Sequence, residues 1–367
     1  MSLVVSYKRQ ILLGIFLILL FLSVLEIFAR SYDFFNPYCG LKSDTTVYSE
    51  MSYWEKAKIC DSWLSLVWHW EDETNVYKLE PNQHKSTVNT NNYGFRGPDI
   101  SKIKEDDSYR IFVVGGSTTI SLRAPSDDVT HPGFLQELFN NSELDFKVEV
   151  INAGTPSFAS IQELSTVENK LVDFNPDLII IYDGVNDLNL PYGYTPSKTS
   201  LHAKIADGFN RYLPFWETIP VTYHIFNNIG QEEQSFHFDS STATQKAQFW
   251  KENLKKICQI GNEHNFDVVI LLQPILGTGS KQLTEYEQHQ LDLFDHESVL
   301  KSYQEFADEL INLEESCTQV KDFRNIFDSY NETIYFDNAH IKYQLNEVIA
   351  ENIFNTTYPI IENFNKN

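Results

Sequence analysis

Between residues 111 and 272 the chain alternates short apolar runs with longer amphipathic stretches. Ile111-Phe112-Val113-Val114, Val148-Glu149-Val150-Ile151, Leu178-Ile179-Ile180-Ile181-Tyr182 and Val268 to Leu272 read as buried strands. Thr130-His131-Pro132 opens a helix running through Phe139, with proline at an early position where its missing N–H costs little. Ser160-x-x-Glu163 has the form of a capping box for a helix whose inner face is Ile161, Leu164, Val167 and Leu171. A later helix carries Ala247, Trp250, Leu254 and Ile257 on one side and is expected to stop at Gly261. A last one places Leu345, Val348, Ile349 and Ile353 on one stripe. Repetition of strand then helix predicts an α/β fold, with a mainly parallel sheet covered by helices on both faces.

A different pattern opens the chain. Ile11 to Leu25 is apolar apart from Gly14 and Ser23, and Glu26-Ile27-Phe28 extends the run toward the roughly 17 to 25 residues that cross a bilayer. Lys8 and Arg9 precede it, which predicts a cytoplasmic N-terminus and an extracytoplasmic body after Arg30. A cleaved signal peptide is the alternative: Ala29-Arg30-Ser31 nominally fits a processing site, although Glu26 and Arg30 sit poorly beside one. The expected organisation is an N-terminal transmembrane anchor at 1–30, an extension packed on the main domain at 31–108, and the main domain at 109–367. The extension holds Trp54, Trp63, Trp68 and Trp70, with Trp68-His69-Trp70 alternating as in a hairpin. An insertion at about 188–243, with Tyr192, Tyr194, Tyr212, Phe215 and Trp216, reads either as a lid or substrate wall or as a helical pair that packs on the body.

Composition narrows the partners. Among 367 residues, 51 are acidic and 28 basic, a formal net charge of −23 that argues against nucleic acid and anionic lipid surfaces because phosphates are repelled. Cys39, Cys60, Cys258 and Cys317 form an even set that an exported body can oxidise in three pairings. Neighbour pairing, Cys39 with Cys60 and Cys258 with Cys317, is the simplest, and four free thiols remain open. Asn140, Asn331 and Asn355 stand in glycosylation acceptor patterns, which occur often by chance.

Four blocks carry candidate chemistry: Gly115-Gly116-Ser117-Thr118, Asn152-Ala153-Gly154, Gly184-Val185-Asn186-Asp187 and Asp337-Asn338-Ala339-His340. The first three follow apolar runs, so Ser117, Gly154 and Asn186 are expected at strand ends along the edge where open α/β sheets bind ligands. A serine hydroxyl becomes an effective nucleophile when a base takes its proton and an acceptor holds that base in one tautomer; His340 and Asp337, three residues apart, suit those roles. The N–H groups of Ser117 and Gly154 and the Asn186 amide suit an oxyanion hole. Taken singly, the glycine turn could cradle phosphate and Asp-x-x-His could be a metal pair or surface turn. Together and in this order they predict a serine esterase. His131 is the one rival base.

The order Ser, Gly, Asn, then Asp-x-x-His resembles the SGNH hydrolase superfamily, also called GDSL-type esterases and lipases, over roughly residues 108 to 356. The resemblance implies a flavodoxin-like three-layer α/β/α sandwich, with Ser117, Gly154, Asn186 and His340 as signature residues. Gly116 departs from the pattern, standing where the family commonly has aspartate. Asn91-Asn92-Tyr93-Gly94-Phe95-Arg96-Gly97 is similar to a lead-in segment of membrane-anchored members. The expected activity is hydrolysis of O-acyl esters of acetyl type, on small molecules or surface glycans, with no metal or organic cofactor required. An acyltransferase using the same site and a non-catalytic surface binder are the competing readings.

Overall fold

The computed structural model describes residues 6–35, 39–71, 76–189, 242–293, 295–362 and 364. Its strands are β1 Trp68–Glu71, β2 Val76–Leu79, β3 Ser108–Gly115, β4 Lys147–Asn152, β5 Leu178–Asp183, β6 Asp267–Leu272 and β7 Gln319–Asp322. β1 and β2 pair antiparallel, with Trp70 edge-on to Tyr77. The other five form one parallel sheet in the order β4-β3-β5-β6-β7. Within that sheet the second strand lies outside the first and the third on its other side, the flavodoxin-like winding.

Successive side chains of a strand point to opposite faces, so an unbroken apolar run must be covered twice. Phe112, Val114, Ile179, Ile181, Val268 and Ile270 pack with the helices Ser160–Asn169, Ala243–His264 and His296–Glu309. Ile111, Val113, Leu178, Ile180, Val269 and Leu271 pack with His131–Asn140 and Asn346–Ile361. The result is the three-layer α/β/α sandwich.

Three local expectations differ from the structure. Ser160 is the first residue of its helix and not its cap: the cap is Ala159, whose N–H is held by Gln162 Oε1 at 3.0 Å, while the Ser160 N–H and hydroxyl both bond Asp187. Leu171 falls beyond that helix, in the turn Leu171–Phe174. The helix expected to stop at Gly261 continues to His264 and ends at Asn265 in the left-handed conformation. A glycine inside a helix costs about 1 kcal/mol relative to alanine. Gly261 is buried where a side chain would collide with Val268 and Phe266, so packing explains it.

Both disulfides follow neighbour pairing, Cys39–Cys60 and Cys258–Cys317. The first staples the start of the extension to the helix Tyr53–Leu64; the second ties the helix Ala243–His264 to the approach to β7. At the N-terminus, Tyr7–Phe28 lies within the helix Tyr7–Phe35 and is long and apolar enough to cross a membrane, with none of it buried against the protein. The aromatic residues of the insertion, Tyr192 to Trp216, lie outside the described residues.

Candidate active site

The winding places the site. β3 and β5 are neighbours whose chains leave the sheet in opposite directions, which opens a crevice at their C-terminal ends. Gly115 is paired with Tyr182 across that edge, so Ser117 and the Gly184–Asn186 turn emerge side by side. Ser117 begins a one-turn helix, Ser117–Ile120. From the far end of the chain, the loop before the helix Asn346–Ile361 brings in Asp337 and His340. That loop is closed by Phe336 N–H to His340 O at 2.7 Å and Lys342 N–H to Ile334 O at 2.8 Å. The Gln273–Gly277 segment abuts it through Leu276 N–H to Asn338 O at 2.8 Å.

His340 Nε2 lies 2.8 Å from Ser117 Oγ, and His340 Nδ1 lies 2.9 Å from both Asp337 oxygens. Asp337 Oδ1 also accepts the N–H groups of Ala339 and His340, and Oδ2 accepts from Arg123 Nη2 at 3.1 Å. The Arg123 guanidinium lies over the Phe336 ring, 4.2 Å from its centroid. Burial by itself would raise the Asp337 carboxyl; the His340 ring with its hydrogen bonds, aided by Arg123, outweighs burial and holds it well below the usual carboxylate range. His131 is no rival base: it is fully buried, its ring lies against Tyr182, and burial lowers its pKa to about 3, so it is neutral at physiological pH.

Of the groups expected to line an oxyanion hole, Gly154 has its N–H engaged elsewhere. Asn186 sits beside the serine turn: a Cβ on Gly116 would stand 2.3 Å from Asn186 Nδ2. A side chain at position 116 would therefore require the Asn186 amide to shift. Asn186 Nδ2 donates one hydrogen to Phe158 O at 2.6 Å, and its second hydrogen has no partner among the described residues. Gly154, in contrast, does not offer its N–H to the site. That group donates to Asn152 Oδ1 at 3.1 Å, and the glycine packs where a Cβ would meet Ile120 N at 2.3 Å. Three residues on, Ser157 lines the cavity with Ser117, holds a left-handed backbone at φ 62°, and has an N–H without an acceptor among the described residues. Such a backbone costs on the order of 1 kcal/mol or more for a non-glycine residue and persists only where the surroundings enforce it.

Two arginines to which the sequence assigned no role support this geometry. Arg96 is buried and donates to Ile120 O, Ser121 O, Thr87 O, Ser126 O and the Asp127 carboxylate. It thereby fixes the chain directly after the nucleophile turn, which gives the Asn91–Gly97 segment a structural role. Arg123 is the second. A buried arginine such as Arg96 needs several acceptors in compensation.

Behind Asn186 lie three fully buried carboxyls, Glu163, Asp183 and Asp187. Burial, reinforced for Glu163 and Asp183 by neighbouring carboxylates, raises all three; hydrogen bonds from the Ser160 N–H and hydroxyl oppose the rise at Asp187. Among the described residues no cluster of His, Cys, Asp or Glu is arranged to hold a metal ion. A carboxyl whose folded pKa exceeds its unfolded value binds more protons when folded. Its stabilising effect is complete below the unfolded value, about 4.3 for glutamate, and is lost as pH climbs to the folded one. Glu163→Gln is therefore expected to raise stability more at pH 8 than at pH 5. Thermal unfolding of both proteins at the two pH values checks this, and an equal or inverted difference would refute it.

No family model and no curated protein matches the chain. Similar solved structures include the acetyl xylan esterase AlAXEase, 13% identical, covering 67% of this chain and 98% of that one with a TM-score of 0.40. TesA is 12% identical over 69% and 99% of the two chains, with a TM-score of 0.41. Axe2, an acetylxylan esterase from Geobacillus stearothermophilus, is 11% identical over 70% and 96%, with a TM-score of 0.41. These likenesses are too distant to carry an activity across, and the function rests on the site.

Proposed function

We propose that the chain is a membrane-anchored serine ester hydrolase whose body faces away from the cytoplasm. The observation that carries the reading is the hydrogen-bonded series from Ser117 Oγ through His340 to Asp337. In the mechanism it supports, His340 Nε2 takes the Ser117 proton as Oγ attacks the acyl carbon, and negative charge develops on the carbonyl oxygen. Donors for that oxygen are the Ser117 N–H, the free hydrogen of the Asn186 amide and the Ser157 N–H, which replaces Gly154. Collapse breaks the bond to the alcohol, which leaves with the proton from His340. Water then attacks the acyl-enzyme, giving one proton to His340 and onward to Ser117 Oγ, and the carboxylic acid departs. Asp337 keeps the proton of neutral His340 on Nδ1 and stabilises the imidazolium.

Export is supported by the two disulfides, which persist in oxidising compartments, and by Lys8 and Arg9 before the apolar helix. The catalytic reading is tested on the purified full-length protein with a fluorophosphonate and an ester panel. Covalent labelling at Ser117 together with ester turnover is expected, and the absence of both would refute it. For topology, protease added to intact cells should digest the body; digestion only after lysis would reverse the orientation.

A further inference from the structure

We infer that the cavity beside Ser117 is an acyl-chain pocket for alkyl chains longer than acetyl, with one wall built by the disulfide-stapled extension. This rests on the esterase reading and sets its substrate class, moving it away from acetyl esters.

Ser117 and His340 open onto a cavity of about 250 Å³. Its apolar lining includes Trp63, Leu122, Ala124, Phe327, Ile341 and Tyr343. Ala124 and Phe327 are almost fully buried, so the cavity runs from the serine into the interior. Several polar side chains in the lining are engaged, Thr118 Oγ1 with Gln273, Ser121 Oγ with Thr118 O and Asn346 Nδ2 with Val129 O, while Arg123 bonds Asp337 through Nη2 and has no partner at Nη1 among the described residues. A polar ligand would have to displace those bonds; an alkyl chain would not.

A pocket that runs inward from the serine and stays open at its mouth suits the acyl side of the ester. When Ser117 Oγ bonds the acyl carbon and the alcohol departs with its proton, the acyl group stays and the alcohol needs a way out.

The wall from the extension is held firmly. Tyr48 donates to Ile341 O at 3.1 Å, meets Phe336 edge-on and stacks on Tyr343, while Cys39–Cys60 ties its segment to the helix that ends with Trp63 and Leu64. Trp63 packs on both the extension cluster and Leu122. A residue from the extension thus sets one dimension of the pocket.

The test measures kcat/KM for p-nitrophenyl acetate, butanoate, hexanoate and dodecanoate with the full-length protein in non-ionic detergent, alongside fluorophosphonate labelling. We expect a rise of at least about tenfold from acetate to hexanoate and a fall at dodecanoate. Trp63→Ala should move the optimum to longer chains, and Ala124→Leu should lower the hexanoate-to-acetate ratio about tenfold. Labelled enzyme that prefers acetate or dodecanoate, or folded variants with unchanged ratios, would overturn the pocket while leaving the hydrolase reading in place. Neither labelling nor turnover would overturn both.

Discussion

Ser117→Ala is expected to remove ester hydrolysis with a loss of about 10⁶ in kcat, because it deletes the oxygen that attacks. The fold should survive. Ser117 Oγ makes its hydrogen bond with His340 at the mouth of a cavity, and Ser117 O, which accepts the Ser121 N–H at 3.0 Å, is untouched. Alanine also keeps the N–H that faces the developing oxyanion, so weak catalysis above the rate in water should persist from the remaining site. Turnover of p-nitrophenyl butanoate and Tm are read on one preparation. A wild-type rate in folded Ser117→Ala would show that another group performs the attack.

Asn186→Ala is expected to cost on the order of 10² to 10³ in kcat, about 2.7 to 4 kcal/mol, with KM nearly unchanged. The reason is timing: an oxyanion donor strengthens its bond as charge appears in the transition state, whereas the ground-state carbonyl gains little from it. The same amide also tethers Phe158 O at 2.6 Å. A purely structural Asn186 would therefore lower Tm and leave kcat intact. If kcat is unchanged, Asn186 leaves the proposed oxyanion hole.

Ser117→Ala and Asn186→Ala together separate the two halves of the site, the transfer group and the charge-stabilising group. Their effects should not add, since each acts on the same transition state. A double variant near the rate of Ser117→Ala alone is the expected outcome.

Much of the architecture was legible along the chain, because its causes are local. A strand buried on both faces must be apolar at every position, and the runs at Ile111, Leu178 and Val268 could serve few other purposes. The chemistry of Ser117, Asp337 and His340 was legible as residue type and order. Their meeting within hydrogen-bond reach depends on a sheet that brings positions more than two hundred residues apart to one edge.

Other features depend on contacts that no local pattern encodes. Gly154 and Ser157 are three residues apart, and a glycine is the natural guess for a close backbone approach. The choice between their N–H groups turns on where Asn152 Oδ1 points and how the turn packs on Ile120. The roles of Arg96 and Arg123 depend on acceptors drawn from distant segments. The cavity wall at Tyr48 and Trp63 comes from the extension, outside the motif-bearing domain. Apolar periodicity and residue chemistry are properties of short stretches of chain, so they can be read in order. Free hydrogen-bond donors, charge neighbours and cavity dimensions are sums over segments distant in sequence, and they acquire values only when the chain is packed.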